Sequence, residues 1–327
     1  MDILLDAQCN VAAPADADAM HHEVVGSDTG YRQRLLEAGL LTETGIDGLY
    51  GRSQRFEAVV DGLDAMITAA GQDLDAEVLR FPPVLSQADF ETSEYFNSCP
   101  DLSGTIHCFC GGEKEHRRAL QCIADGQDWS HLQQPAGLAM APAACYPVYP
   151  LSARRGPLPP GGRTFDVYSY CFRHEPSPEP TRMQLFRIRE YVRIGTPAQA
   201  VEFRQLWVER GKRMVDRLGL PCEIALASDP FFGRAGKIAA QNQYAEALKF
   251  ELRIPLADAA NAVACLSFNL HRDFFSQRWE LRSSDHALAH SACVGFGMER
   301  IALALFWHHG LDIDAWPQPV RDALWTP

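Results

Sequence analysis

Two runs rich in aromatic and β-branched residues, Thr164–His174 (TFDVYSYCFRH) and Leu185–Ile194 (LFRIREYVRI), do most to limit what this chain can fold into. Each alternates roughly between apolar and polar positions, the period of a strand with one buried face. The polar, proline-rich Glu175–Thr181 between them predicts a hairpin with a loop of several residues. Further strands are expected at Lys249–Ile254, Ala262–Asn269 and Ala292–Gly295. Glu77–Leu85 reads as strand or extended chain broken by Pro82–Pro83, since proline removes ladder donors. Helical spacing marks Arg32–Leu41, Gly51–Gly71, Pro197–Leu218 and Met298–Trp307. Ser98–Ala141 reads as short helices and loops, and Ser152–Arg163 as a surface loop punctuated by proline and glycine. Strands clustered around a hairpin, with helices outside, imply an α+β protein on an antiparallel sheet.

Composition narrows the function classes. The 327 residues are 46% apolar and 22% charged, enough to bury a sizeable core. Thirty Lys and Arg against 42 Asp and Glu leave a net charge of −12, which argues against general binding to nucleic acid. No apolar run reaches the roughly 18 to 20 residues of a membrane span. The first basic residue is Arg32, so the start lacks the positive region of a signal peptide. The ten cysteines lack small-domain disulfide spacing and are expected to be reduced, in a cytoplasmic protein. Residues 1–25, rich in Ala and Asp, are expected to be a loose tail before one domain over 26–327.

The hairpin also carries chemistry. Its first strand ends in Phe172-Arg173-His174-Glu175, and its second holds Arg187-Ile188-Arg189-Glu190-Tyr191. Gly295-Phe296-Gly297-Met298-Glu299-Arg300 follows much later, at the start of a helix. Separated guanidinium forks on rigid elements, with glycines that admit a ligand close to backbone, suit the grip of a polyphosphate.

With these motifs in this order the chain resembles the class II aminoacyl-tRNA synthetases over roughly residues 75–310. FRHE, a loop and LFRIREY look like motif 2, and GFGMER looks like motif 3. The segment Phe81–Leu102 is similar to the one that precedes the hairpin in seryl-type members, near the dimer interface of the class. The resemblance implies a class II synthetase-like fold, an ATP site and a homodimer. Arg173 would hold the α-phosphate and the substrate carboxylate, Glu175 would bond near the adenine amino group, and Arg300 would bind the γ-phosphate. Tyr191 would stack on adenine, with Phe186 as the second candidate, and Arg187 would assist. Ala264–Arg278 resembles the seryl-type stretch that lines the ATP site, so Ser267, Asn269 and Arg278 are candidates there. Ala264 stands where a metal-holding carboxylate is usual, which leaves magnesium to Glu251 or to the ATP phosphates. Lys249 is a candidate for added charge near those phosphates.

Atypical archaeal seryl-type enzymes hold zinc by two cysteines and a glutamate, and the positions that correspond here are Cys145, Glu190 and Cys293. A rival set, His107, Cys108, Cys110 and His116, lacks zinc-finger spacing. No segment reads as a tRNA-binding module. Among class II homologues this combination looks like the amino acid:[carrier protein] ligases. Such an enzyme activates glycine or alanine and passes it to the phosphopantetheine thiol of a small acidic carrier protein, with no tRNA. The inserted segment at about 197–245 is the expected docking element, through Arg204, Arg210, Lys212, Arg213 and Arg217, with GRAGK (Gly233–Lys237) adding two charges. A minimal tRNA synthetase and a non-catalytic paralogue are the alternatives.

Overall fold

A computed structural model describes residues 29–256 and 262–326. The expected tail at 1–25 lies outside the described residues. The strands are β1 (Leu41–Glu43), β2 (Tyr50–Arg52), β3 (Glu77–Leu79), β4 (Val84–Ser86), β5 (Thr105–Phe109), β6 (Gln133–Met140), β7 (Arg163–Phe172), β8 (Leu185–Gly195), β9 (Glu223–Leu226), β10 (Lys249–Pro255), β11 (Ala262–Arg272) and β12 (His290–Gly297). The helices are α1 (Thr29–Glu37), α2 (Gln54–Gly71), α3 (Gln87–Thr92), α4 (Tyr95–Ser98), α5 (Glu113–Ala124), α6 (Val148–Arg154), α7 (Pro197–Arg217), α8 (Gly233–Ala245), α9 (Phe274–Trp279), α10 (Met298–His309) and α11 (Gln318–Trp325).

A seven-stranded sheet in the order β3-β7-β8-β12-β11-β10-β9 organises the molecule. Only β3 runs parallel to its neighbour. The expected hairpin is β7–β8, in register from Arg163 opposite Ile194 to Phe172 opposite Leu185. One face of the sheet is covered by α2, α7 and α10, whose apolar sides bury Phe56, Leu63, Trp207, Val215, Leu303 and Phe306 against Val294, Phe296 and Phe268. The opposite face carries a smaller cluster around Tyr149, Phe165, Val167 and Phe275, contributed partly by α6 and α9.

Helix α7 begins at Thr196, whose hydroxyl accepts from the Gln199 backbone N–H while the Gln199 side chain accepts from Thr196 N, with Pro197 in the first turn. Its apolar stripe lies on β8, β11 and β12. Chain that reads as loops and short helices contains a second sheet, β4-β6-β5, and the extended run at Glu77–Leu85 is split by its prolines between the two sheets. The strands of this second sheet are largely exposed and show no regular alternation of apolar and polar residues, so no strand period announces them.

The closeness of α7 to the sheet rests on Gly211, where an added Cβ would come within 2.8 Å of Phe268 Cζ and 2.9 Å of Leu266 Cδ2. Alanine would raise helix propensity by about 1 kcal/mol, yet overpacking a filled core costs about 1–3 kcal/mol. Gly211→Ala is therefore expected to lower the urea midpoint. A midpoint at or above wild type would show that α7 can lift from the sheet.

Candidate active site

Strand alternation places the chemistry-bearing side chains on the sheet face turned away from α2, α7 and α10. On that face β8 presents Phe186, Ile188 and Glu190, and β12 presents Cys293, Gly295 and Gly297. Beside them, β11 presents Ser267, Asn269 and His271, and β10 presents Lys249 and Glu251. Gly295 sits between Glu190 and Ser267 in the ladder and leaves the middle of this face without a side chain.

Two cavities adjoin here, sharing Arg173, Ile188, Lys249, Ser267 and Gly295 in their walls. The smaller, about 110 Å³, is lined by Arg173, Glu175, Phe186, Glu251, Ala264 and Arg300 among others. Arg300, in the first turn of α10, donates from Nε to Thr181 O at 2.9 Å and from Nη1 to Ala264 O at 3.0 Å. Burial, with the like charge of Arg173 adding to it, pushes the Arg300 guanidinium below its ordinary pKa. An anion in this cavity would relieve both. The Arg173 guanidinium lies 5.5 Å from the centre of the Phe186 ring, and its Nε is buried without a protein partner. Lys249 is buried between Asp229 at 2.7 Å and Glu251 at 3.1 Å.

The larger cavity, about 590 Å³, ends at Cys145, Glu190 and Cys293. One ligand atom from each of these three lies within 4.8 Å of the others, and all three residues are buried. Glu190 Oε1 accepts from Ala144 N at 2.8 Å and Cys145 N at 3.2 Å, which ties the loop before α6 to the sheet. Burial, with the Cys293 charge beside it, raises the Glu190 carboxyl to about 8. A hydrogen bond from Cys145 favours the thiolate of Cys293, which is held well below its ordinary pKa, while Cys145 is pushed up. Among the described residues no other trio of His, Cys, Asp and Glu could hold an ion, so His107, Cys108, Cys110 and His116 form no such cluster. The nine cysteines of the described residues are free thiols. No helix of the described residues is long and apolar enough to cross a membrane.

Comparison with known proteins gives this arrangement a family. The chain is 46% identical over 285 residues to a protein of Bradyrhizobium diazoefficiens named amino acid–[acyl-carrier-protein] ligase 1, covering 87% of both chains. It is 42% identical over 319 residues to ligase 2 of the same organism, covering 96% of this chain and 91% of the relative. The chain belongs to the amino acid–[acyl-carrier-protein] ligases. A weaker relative of this ligase is the type-2 serine–tRNA ligase of Methanopyrus kandleri, 24% identical over 204 residues, which covers 58% of this chain and 38% of that one. No family model matches. In fold the ligase is a class II aminoacyl-tRNA synthetase catalytic core. It superposes with a TM-score of 0.77 and 18% identity on M. kandleri SerRS in complex with A. aeolicus tRNASec, covering 90% of this chain and 59% of that one. The seryl-tRNA synthetase of Pyrococcus horikoshii complexed with ATP gives a TM-score of 0.66 at 13% identity, covering 90% and 62%.

The structure corrects several sequence-based assignments in the ligase. Tyr191 cannot stack on a base in the smaller cavity. It follows Glu190 by one residue, so it faces the other side of the sheet, where it is 2% exposed and packs 4.6 Å from Trp207. Phe186 is the aromatic ring of that cavity wall. Arg187 shares the parity of Tyr191 and does not line the smaller cavity; its guanidinium binds Glu299 at 2.7 Å and Glu57 at 2.6 Å. Arg278 pairs with Glu94 and lies 3.5 Å over the Phe274 ring, outside both cavities. Helix α7, the first part of the expected docking segment, covers the far face of the sheet from the cavities. Arg204 donates to Ala247 O, Arg210 binds Asp73 and Ala70 O, and Lys212 pairs with Asp216. Arg213 and Arg217 are exposed, but on a helix separated from the cavities by the sheet. Helix α8, the last part of that segment, walls the larger cavity through Ala235, Gly236, Ala239, Asn242 and Gln243. Asp229 and Tyr146 line that cavity as well, and no motif marks them in the sequence; His271, within the Ala264–Arg278 stretch, also lines it.

Glu190 has a structural duty that can be measured apart from chemistry. Glu190→Gln keeps an acceptor for the Ala144 and Cys145 N–H groups, whereas Glu190→Ala strands both in a buried loop. The alanine variant is expected to be about 1–3 kcal/mol less stable than the glutamine variant. Equal denaturation midpoints would mean that the loop is held by other contacts.

Proposed function

We propose that the ligase activates a small amino acid, glycine or alanine, with ATP and passes it to the phosphopantetheine thiol of an acidic carrier protein. The observation that carries this reading is the meeting of two cavities at Arg173, one rich in phosphate-suited arginines and the other ending in a Cys–Glu–Cys cluster.

ATP is assigned to the smaller cavity. Phe186 offers a face for the base, Glu175 an acceptor for its amino group, and Arg300 a buried fork for the outer phosphates. Glu251 is already paired with Lys249 and Arg253, so magnesium is assigned chiefly to the phosphates that bring it. The amino acid is assigned to the junction, its carboxylate at Arg173 and its amino group toward Glu190 and Asn269. The donor set fits zinc, with two sulfurs and one carboxylate converging in a buried site. Three protein ligands would leave that ion, when bound, an open position to take a neutral amino group.

In the first step a substrate carboxylate oxygen attacks the α-phosphorus and the bond to the β-phosphate oxygen breaks. Arg173 neutralises the crowded charge and Arg300 accompanies the departing pyrophosphate. The protein contributes position and charge, with no covalent intermediate of its own. In the second step the carrier sulfur attacks the acyl carbon, the bond to AMP breaks, and the thiol proton passes to solvent. The thiol is assigned an approach past α8, where Arg234 and Lys237 offer charge to an acidic carrier and Phe232 and Ile238 are 56% and 57% exposed.

The test is amino-acid-dependent ATP–pyrophosphate exchange with all twenty amino acids on zinc-loaded protein, followed by mass analysis of a holo carrier protein. Exchange with glycine or alanine and a carrier mass increased by one aminoacyl group are expected. Charging of tRNA in place of the carrier, or no exchange at all, overturns the reading. Arg300→Ala should lower exchange by about 100-fold or more, the scale of losing one preorganised charge donor. It should leave the far-ultraviolet spectrum unchanged. Cys293→Ala should take bound zinc to near zero by elemental analysis, and full retention would remove Cys293 from the ligand set.

A further inference from the structure

His271 lines the larger cavity on β11, and none of the assigned roles uses it. Its Nε2 lies 3.5 Å from Cys293 Sγ. Its Nδ1 lies 3.1 Å from Ser291 Oγ and 3.4 Å from Tyr149 Oη. Phe275 meets the ring edge-on with centroids 5.0 Å apart. The imidazole is thus fixed at both nitrogens and along one flank, inside the cluster that surrounds Cys293.

The partners decide where its hydrogen sits. Ser291 and Tyr149 each carry a hydroxyl that can donate to Nδ1. Cys293 as a metal ligand is a thiolate, which only accepts. Hydrogen on Nε2 gives the sulfur a donor and leaves the single lone pair of Nδ1 to Ser291, the nearer hydroxyl, whereas the opposite tautomer would aim a lone pair at the sulfur. Asn269 Nδ2, 3.3 Å from the same sulfur, supplies a second N–H.

We propose that His271 is a positioning residue of the metal centre, whose Nε2–H donates to the Cys293 sulfur and keeps it aimed at Glu190 and Cys145. The inference rests on the reading of Cys145, Glu190 and Cys293 as zinc ligands. Outer partners of metal ligands fix ligand orientation, and their loss typically weakens metal binding by about 10–100-fold. Ser291, fully buried two residues before Cys293, acts one step further out by keeping Nδ1 an acceptor.

The experiment is chelator competition on the purified full chain loaded with zinc. His271→Phe fills the space but has no N–H, and is expected to weaken zinc retention by about 10–100-fold. His271→Gln restores an amide donor and should recover part of the loss. Cobalt substitution gives a readout independent of activity. The sulfur-to-cobalt charge-transfer band should shift in His271→Phe and return toward wild type in His271→Gln. Wild-type retention and an unshifted band in His271→Phe overturn the proposal while leaving the zinc centre standing. A wild-type chain that binds no zinc overturns both. Should His271→Phe fail to fold, His271→Leu, which also lacks an N–H, carries the test, with weaker retention expected and unchanged retention overturning the role of His271.

Discussion

The pairing of β8 with β12 is the constraint on which the rest of this molecule depends. Glu190 stands opposite Gly295, and Tyr191 opposite Val294. Side chains on a strand alternate with a period of two, so a slip of one residue would exchange the two faces. Glu190 would then enter the aromatic core beside Trp207, and Tyr191 would fill the space above Gly295. Every group assigned to chemistry on β8, β10, β11 and β12 depends on this single choice of parity. It is fixed by the apolar face: Val294, Phe296, Phe268 and Leu252 are all buried against α7 and α10. The core on one face of the sheet therefore specifies the site on the other.

A second device fixes where Arg300 can point. Its neighbour Glu299, almost wholly buried, accepts from Arg187 N and Arg187 Nε, both at 2.7 Å, and lies 3.6 Å from Arg52. Arg187 reaches on to Glu57 in α2. A lone buried carboxylate would be expensive, and here it is matched by a guanidinium and a backbone donor together. The result pins the first turn of α10 to both β8 and α2. Arg300 leaves that turn toward the cavity, and its two bonds to the carbonyls of Thr181 and Ala264 complete the orientation. The motif arginine is thus held from behind by the chain of ion pairs from Glu299 through Arg187 to Glu57.

Much of this was legible in the sequence. The two motif strands, the long amphipathic helix and the helix after the glycines all stand within a few residues of their expected bounds, because each buries one face and so shows its period. Arg173, Glu175, Arg300, Ser267, Asn269 and the Cys145–Glu190–Cys293 trio converge over one face, which no spacing could have revealed across the 148 positions from Cys145 to Cys293. Tyr191 and Arg187 could have been excluded without a structure. Either residue differs from Glu190 by an odd number along one strand, so neither can share its face. The second sheet was hidden for the opposite reason, since its strands are largely exposed, lack regular alternation and are interrupted by Pro135. Helix α8 falls within the expected docking segment at about 197–245 but was not resolved there as a helix of its own, because a surface helix with one fully buried residue, Gly236, carries little periodic signal.

The misreading of α7 shows what separates a charged face from a docking face. Its arginines are real features of an amphipathic helix, but two of them close the molecule on itself. Arg210 bridges to the end of α2 through Asp73, and Arg204 caps the Ala247 carbonyl over the Phe250 ring. A partner attracted to α7 would stand behind the sheet, with that layer between it and either cavity. Helix α8 differs in kind: it has few internal ties, exposes apolar residues beside its basic ones, and forms a wall of the larger cavity. Charge can steer a partner from any surface, but a tethered nucleophile can reach only the cavities that open where its carrier sits.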